Sequence, residues 1–286
     1  MLIVDAREAH TWFGFGVAGN FAGHLEQAGE AGDFVSVTAP ENAPKGIFPF
    51  YVPGQGSYLG TFPISSDTVL LPQSDTPLDL QIEPEAGLLC HVRYGEGGRV
   101  ERLAPYAIGA FNDCSIRRPD AKKLSEKKNW GPASKGLAAR LLTIDDLGPT
   151  GGTADLHIAS FLRRDGEAHA YGLDSPVVGY SYFGDVLLDW MVERLHNQTG
   201  SPETPLENVG KYLLDAGRPA TVVIGIGATR YTEVGASTYL EDGDQAIVIV
   251  YHSAANAPEQ VAAAVAAGAE DTLVRASVLR QTVRTA

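Results

Sequence analysis

The chain has 286 residues, 44% of them apolar, enough to bury a substantial core as one large domain or a domain with a smaller lobe. Its 22 basic and 35 acidic side chains give a net charge of -13 with no basic patch, which argues against a nucleic-acid or anionic-membrane partner. Two cysteines without CxxC spacing, Cys90 and Cys114, exclude a disulfide framework. The start lacks a basic-then-apolar signal pattern and no apolar run approaches the ~18 residues of a membrane span, so the expectation is a cytoplasmic protein.

In chain order, residues 1–65 are rich in Gly, Pro and aromatics, with helical periodicity only around "AGHLEQAGE", and read as an N-terminal lobe. From residue 66 the pattern changes to short β-branched runs split by turns: "DTVLLP", "LDLQIEPEAGLLCHV" and "APYAIGAFNDCSI". The basic stretch "RRPDAKKLSEKK", broken by acids, reads as a solvated loop. "LHIASFLRRDGEAHAYGL" predicts two strands joined at Asp165-Gly166. "DVLLDWMVERLHNQ", apolar at Val186, Leu187, Trp190, Met191 and Leu195, predicts an amphipathic helix. "ATVVIGIGATRY" and "QAIVIVYH" read as buried strands, and the Ala-rich tail from Pro258 onward reads as helical. Many strands with few helices predict a mixed, β-rich α+β fold, with residues 66–286 as the main domain.

Within this pattern, "LQIEPEAGLL" sets two glutamates in apolar surroundings. Glu83 and Glu85 share one face of an extended strand, and like charges there repel unless a cation lies between them or one takes up a proton. Asp113 ends the next apolar run. If the two runs pair, three carboxylates converge on a hard-cation site of the kind that takes Mg²⁺, Mn²⁺ or Ca²⁺ rather than Zn²⁺. Pro84 between the glutamates has no N–H to give a ladder, which predicts a sheet edge or a bulge.

The order of motifs around this pair resembles the fumarylacetoacetate hydrolase (FAH) superfamily. "GVAGNFAGHLEQAGE", "PKGIFPFYVPGQGSYLG", "IEPE", "IGAFNDCSIRR", "NWGPASKG", "LHIASFLRRDGE" and "YLEDGDQAIVIV" follow that family's sequence of motifs over roughly residues 12–252. The resemblance implies an FAH-like fold with a β-sheet roll or barrel core, and a homodimer. It further implies Glu83, Glu85 and Asp113 as ligands of Mg²⁺ or Mn²⁺, Lys135 beside the metal and the substrate oxygens, and His24 on the lid as the residue that activates water. Arg117 matches the arginine of that family's segment following the third acid, as a substrate-binding or a structural residue. The chain also departs from the family. Hydrolytic members carry an acid three residues after the histidine, where this chain has Gln27, leaving Glu26 or Glu30 as substitutes. Gln27 can orient a water but cannot serve as a carboxylate base. The family's C-terminal substrate loop is replaced by "GIGATRYTEVG", in which Thr229 is the nearest counterpart and Arg230 an added cation; Arg118 stands where the family has Asp.

The activity implied is metal-dependent chemistry on a small carboxylate, a 2-oxo acid or 1,3-dicarbonyl acid, through an enolate, with C–C hydrolysis of an acylpyruvate-like substrate foremost. Decarboxylation, hydration or tautomerisation through the same intermediate, and a non-catalytic binding homologue, are the competing readings.

Overall fold

A computed structural model describes residues 1–34, 37, 39, 40, 43–117 and 121–285. Arg118 lies outside them. The strands of the first half are β1 (Leu2–Ile3), β2 (Phe13–Ala18), β3 (Gly46–Tyr51), β4 (Ile64–Ser65), β5 (Thr68–Leu71), β6 (Leu80–Gln81), β7 (Pro84–Tyr94) and β8 (Val100–Asn112). Those that follow are β9 (Ser115–Ile116), β10 (Lys135–Leu137), β11 (Arg140–Thr143), β12 (Leu156–Arg164), β13 (Glu167–Pro176), β14 (Thr221–Ala228), β15 (Gln245–His252) and β16 (Ala276–Thr285). The helices are α1 (Ala6–Ala9), α2 (His24–Gln27), α3 (Leu124–Lys128), α4 (Asp185–Asn197), α5 (Val209–Asp215), α6 (Glu233–Ser237) and α7 (Pro258–Ala266). No helix among the described residues is long and apolar enough to cross a membrane.

The strands build a nine-stranded sheet in the order β1-β11-β8-β7-β14-β2-β3, with β10 and β4 attached through β8, and a five-stranded sheet in the order β13-β12-β15-β16-β5. Among the described residues neither sheet closes on itself, so the core is two open sheets rather than a closed barrel. Strands β1 to β4, all from the first 65 residues, lie in the larger sheet.

The main core fills the space between the sheets, joining Phe13, Phe15, Leu88, Ile108, Val222 and Ile224 to Ile158, Leu162, Val248, Val250 and Leu279. Strand β15 is apolar from Ala246 to Tyr251 because it is covered on both faces. Val248 and Val250 enter this core, while Ile247, Ile249 and Tyr251 pack beneath Val261 and Val265 of α7. A smaller cluster of Leu25, Phe34, Phe48, Leu124 and Leu206 ties α2 to α3.

The β12–β13 hairpin turns at Asp165-Gly166 as predicted, with φ of 53° and 84°, the doubly left-handed pair that matches strand twist. Helix α4 forms as predicted, but its buried face is Leu187, Leu188, Met191 and Leu195; Val186 is 59% exposed. The tail departs further from expectation. Only Pro258–Ala266 is helical, whereas Ala276–Thr285 is β16, antiparallel to β15 and parallel to β5. Ser277, Leu279, Gln281 and Val283 are all buried and their neighbours less so, a period of two that outweighs the helical composition upstream.

Candidate active site

The pairing of β7 with β8 brings the three acids together. Pro84 lies opposite Asn112 and Glu85 opposite Phe111, and the Asp113 N–H donates to the Glu83 carbonyl at 3.0 Å. The ligand oxygens of Glu83, Glu85 and Asp113 lie within 4.8 Å of one another, and all three residues are buried. Strand β7 is central rather than an edge, and Pro84 is accommodated as its first residue. Facing it, β14 shifts register between Gly225 and Ala228, so the bulge lies on the neighbouring strand.

That bulge is built for Glu85. The Gly227 N–H, at a φ of 116° that favours glycine, donates to Glu85 Oε2 at 3.0 Å. A Cβ on Gly225 would sit 2.3 Å from the same oxygen. Gly225→Ala is therefore expected to destabilise the fold by about 1–3 kcal/mol through overpacking, read as a lower midpoint in urea unfolding.

The cations around the triad come from three directions. Pairing of Gly136 with Asn112 sets Lys135 beside Asp113, with Nζ 3.2 Å from Oδ1 and donating to the Cys114 carbonyl at 2.6 Å. Arg117 donates to Glu83 at 2.9 Å, Glu30 at 2.8 Å, Gln81 Oε1 at 2.8 Å and the Tyr231 hydroxyl at 3.0 Å. Protein groups thus engage its guanidinium on every side, the structural role left open for it. The third is Lys128, which the sequence reading placed in a solvated loop. Its Nζ lies 2.5 Å from Glu83 Oε2 and 2.7 Å from Asp113 Oδ2, between two of the acids. Helix α3 buries Leu124, Lys127 and Lys128, and Lys127 pairs with Glu30 at 3.4 Å. The clue was spacing: three and four residues after Leu124, both lysines share its buried helix face.

These contacts set the protonation states. Burial pushes the Glu83 carboxyl up, but Lys128 and Arg117 together hold it well below the usual range. Glu85 has no such cation in contact; burial and the Asp113 charge push it well above the carboxylate range. The repulsion posed by Glu83 and Glu85 is thus eased by Lys128, which favours the ionised form of Glu83, while the upward shift of Glu85 favours its neutral form. Burial lowers Lys135, which Asp113 opposes, while Lys128 is raised because Asp113 and Glu83 outweigh its burial.

His24 completes the group. Its Nδ1 lies 2.9 Å from the Thr229 carbonyl, an acceptor only, so Nδ1 carries the proton. Burial lowers its pKa below 6.5, so the ring is neutral and Nε2 presents a lone pair; that atom is buried without a hydrogen-bond partner. His24, Glu30, Glu83, Glu85, Asp113 and Lys128 line one cavity of about 20 Å³, room for a single water. A roomier surface hollow of about 810 Å³ beside Tyr58 and Tyr212 carries Lys123, Glu126, Glu207 and Lys211, but among the described residues no second cluster of three acids or histidines gathers there.

The remaining predicted residues sit apart from this cavity. Gln27 clasps the Tyr231 backbone, accepting from its N–H at 2.9 Å and donating to its carbonyl at 3.3 Å. Glu26 is exposed, and the acid that reaches the cavity is Glu30. Thr229 is buried and serves through its backbone, while Arg230 is exposed with its stem against Gly23.

The donor set fits a divalent cation. It offers three oxygen ligands at close range, and both Asp113 carboxylate oxygens are buried without a geometrically satisfactory hydrogen bond.

Solved structures share the fold. Cg1458 in complex with an inhibitor is 14% identical, with a TM-score of 0.53 over 96% of this chain and 77% of its own. A provisionally assigned HpcE protein from Mycobacterium smegmatis is 15% identical, with a TM-score of 0.53 over 97% and 76%. The FAH-like α+β fold implied by the sequence motifs is the fold observed. A provisionally assigned FAH family protein from Yersinia pestis CO92 also matches, at 12% identity and a TM-score of 0.46 over 83% and 88%. No curated protein matches the chain. The sequence pattern of a family of unknown function, DUF5718, matches residues 30–283, and the chain belongs to that family.

Proposed function

We propose that the chain is an enzyme acting on a small 2-oxo or 1,3-dicarbonyl acid through an enolate, with C–C hydrolysis of an acylpyruvate-like substrate as its reaction. The observation that carries this reading is His24, neutral and with a free Nε2, on the same cavity as three buried carboxylates. Held by Glu83, Glu85 and Asp113, a Mg²⁺ or Mn²⁺ ion would supply a Lewis acid for the substrate oxygens.

The chain's own groups account for the rest. Nε2 of His24 takes a proton from water as its oxygen bonds to the acyl carbon. The C–C bond then breaks, releasing a carboxylic acid and leaving the electron pair on the 2-oxo fragment as an enolate. The ammonium of Lys135, fixed by Cys114 and Asp113, stabilises that charge at no reorganisation cost. His24 returns its proton to the enolate carbon, closing the balance. Thr229 acts in this scheme by fixing the tautomer of His24, and Gln27 by holding α2 in place. A small carboxylate as ligand and a homodimer as assembly belong to the same proposal.

The test is uptake of solvent deuterium by acetylpyruvate and oxaloacetate, with and without Mg²⁺, followed by product analysis. Uptake with pyruvate and acetate released from acetylpyruvate is the expected result. Carbon dioxide from oxaloacetate without acetylpyruvate cleavage would assign decarboxylation instead. Absence of uptake across a panel of 2-oxo acids, with metal bound, would leave a binding protein.

A further inference from the structure

The triad already holds a cation. The Lys128 ammonium touches Glu83 Oε2 at 2.5 Å, Asp113 Oδ2 at 2.7 Å and the Asp113 carbonyl at 3.3 Å. These are two of the three acids whose oxygens lie within 4.8 Å of one another. A divalent ion taking the same oxygens would lie within a few ångströms of that ammonium, where like charges in a dry site repel strongly. The cavity that Lys128 shares with the triad, about 20 Å³, has no room for both the ammonium and a hydrated ion. Charge leads to the same conclusion. Among the described residues Glu30, Glu83 and Asp113 are already contacted by four cations (Arg117, Lys127, Lys128 and Lys135), so a divalent ion added without displacement brings further positive charge into a buried place. Lys128 is the last residue of α3, and its ammonium sits at the end of a four-carbon stem that can swing while the helix stays in place.

We infer that the Lys128 ammonium is an internal place-holder for the metal: it and a divalent ion contend for the same oxygens of Glu83 and Asp113, so Lys128 sets the metal affinity of the site. The inference rests on the metal reading proposed above. It predicts a full-length chain that binds Mg²⁺ and Mn²⁺ weakly, and whose carboxylates stay gathered when no metal is present.

The experiment is calorimetric titration of the full-length protein and its Lys128→Met and Lys128→Gln variants with Mn²⁺, alongside Lys128→Met/Glu85→Gln. Binding at least ten-fold tighter in the single variants than in the parent, and lost in the double variant, is the expected result. A second measurement needs no substitution at Lys128. In protein labelled with ¹⁵N-lysine, a buried ammonium resonance moves as Mg²⁺ is added and saturates together with the calorimetric curve. Single variants that bind no tighter than the parent, or ammonium resonances that stay fixed while Mg²⁺ binds, would overturn the place-holder and leave the metal site standing. If parent and variants alike bind no metal, the place-holder and the metal reading fall together.

Discussion

Replacing Glu83 with glutamine is expected to lower the stability of the metal-free protein by about 3 kcal/mol, and its Tm by roughly 6–10 °C. Among the described residues Glu83 is the one acid that accepts from both Arg117 and Lys128, and the variant leaves both with a weaker partner in a buried place. The loss stays near the low end for a broken buried pair because Arg117 keeps Glu30 and Lys128 keeps Asp113. Removing Lys128 as well should recover part of it, a coupling that a double-mutant cycle measures directly. The pH dependence follows from the depressed carboxyl of Glu83. A depressed acid stabilises the fold above its unfolded value of about 4.5, and the contribution is lost as pH falls through the lower folded value. The gap between parent and Glu83→Gln should therefore hold from neutral pH to about pH 5 and narrow below it in urea unfolding. A gap that is constant down to pH 3, or absent at pH 7, would mean that Glu83 does not anchor the cations.

The second large effect falls on catalysis. His24→Asn should reduce kcat on an acylpyruvate by about 10²–10⁴-fold with KM and Tm little changed, because the imidazole is the base and its removal leaves the charge cluster intact. The pH profile is the sharper readout. Burial holds His24 below 6.5, so the base form persists into mildly acidic solution. Activity should stay level below pH 6.5 and fall only as pH drops through the lower folded value. An acid limb at or above 6.5 would remove His24 as the base, whatever the size of the kcat loss.

What could be read in advance depended on whether the signal was local. The Asp165-Gly166 turn is local chemistry, and it appeared where the dipeptide placed it. The triad was legible because Glu83 and Glu85 sit two apart and Asp113 ends the next apolar run, so a single strand pairing brings them together. Lys128 was not legible in this way. Its meaning depends on α3 packing Leu124 against Leu25 and Phe48, a contact between segments far apart in sequence. The strand at Ala276–Thr285 was hidden by the alanines before it, although its alternation was present. Its Gln281 accepts from Asn112 Nδ2 at 3.0 Å, and Asn112 in turn accepts from the Glu83 N–H at 3.1 Å. A residue read as part of a tail helix thus supports the register on which the triad depends. Gln27 was singled out as a missing acid; its clasp on Tyr231 gives it a different task.

That clasp has a kinetic consequence. The cavity beside α2 has room for about one water, too little for a ligand of several carbons, so capture is expected to require α2 to move. Helix α2 is only four residues long, held by Leu25, by the His24–Thr229 hydrogen bond and by two between Gln27 and the Tyr231 backbone, each bond worth about 1 kcal/mol. Opening is therefore an equilibrium that precedes capture, and the apparent affinity for any ligand is the intrinsic one scaled by the open fraction. In a stopped-flow trace the observed rate would climb with ligand concentration and then level off at the opening rate. Trimming the Gln27 side chain would raise that plateau without touching a single charge in the chamber.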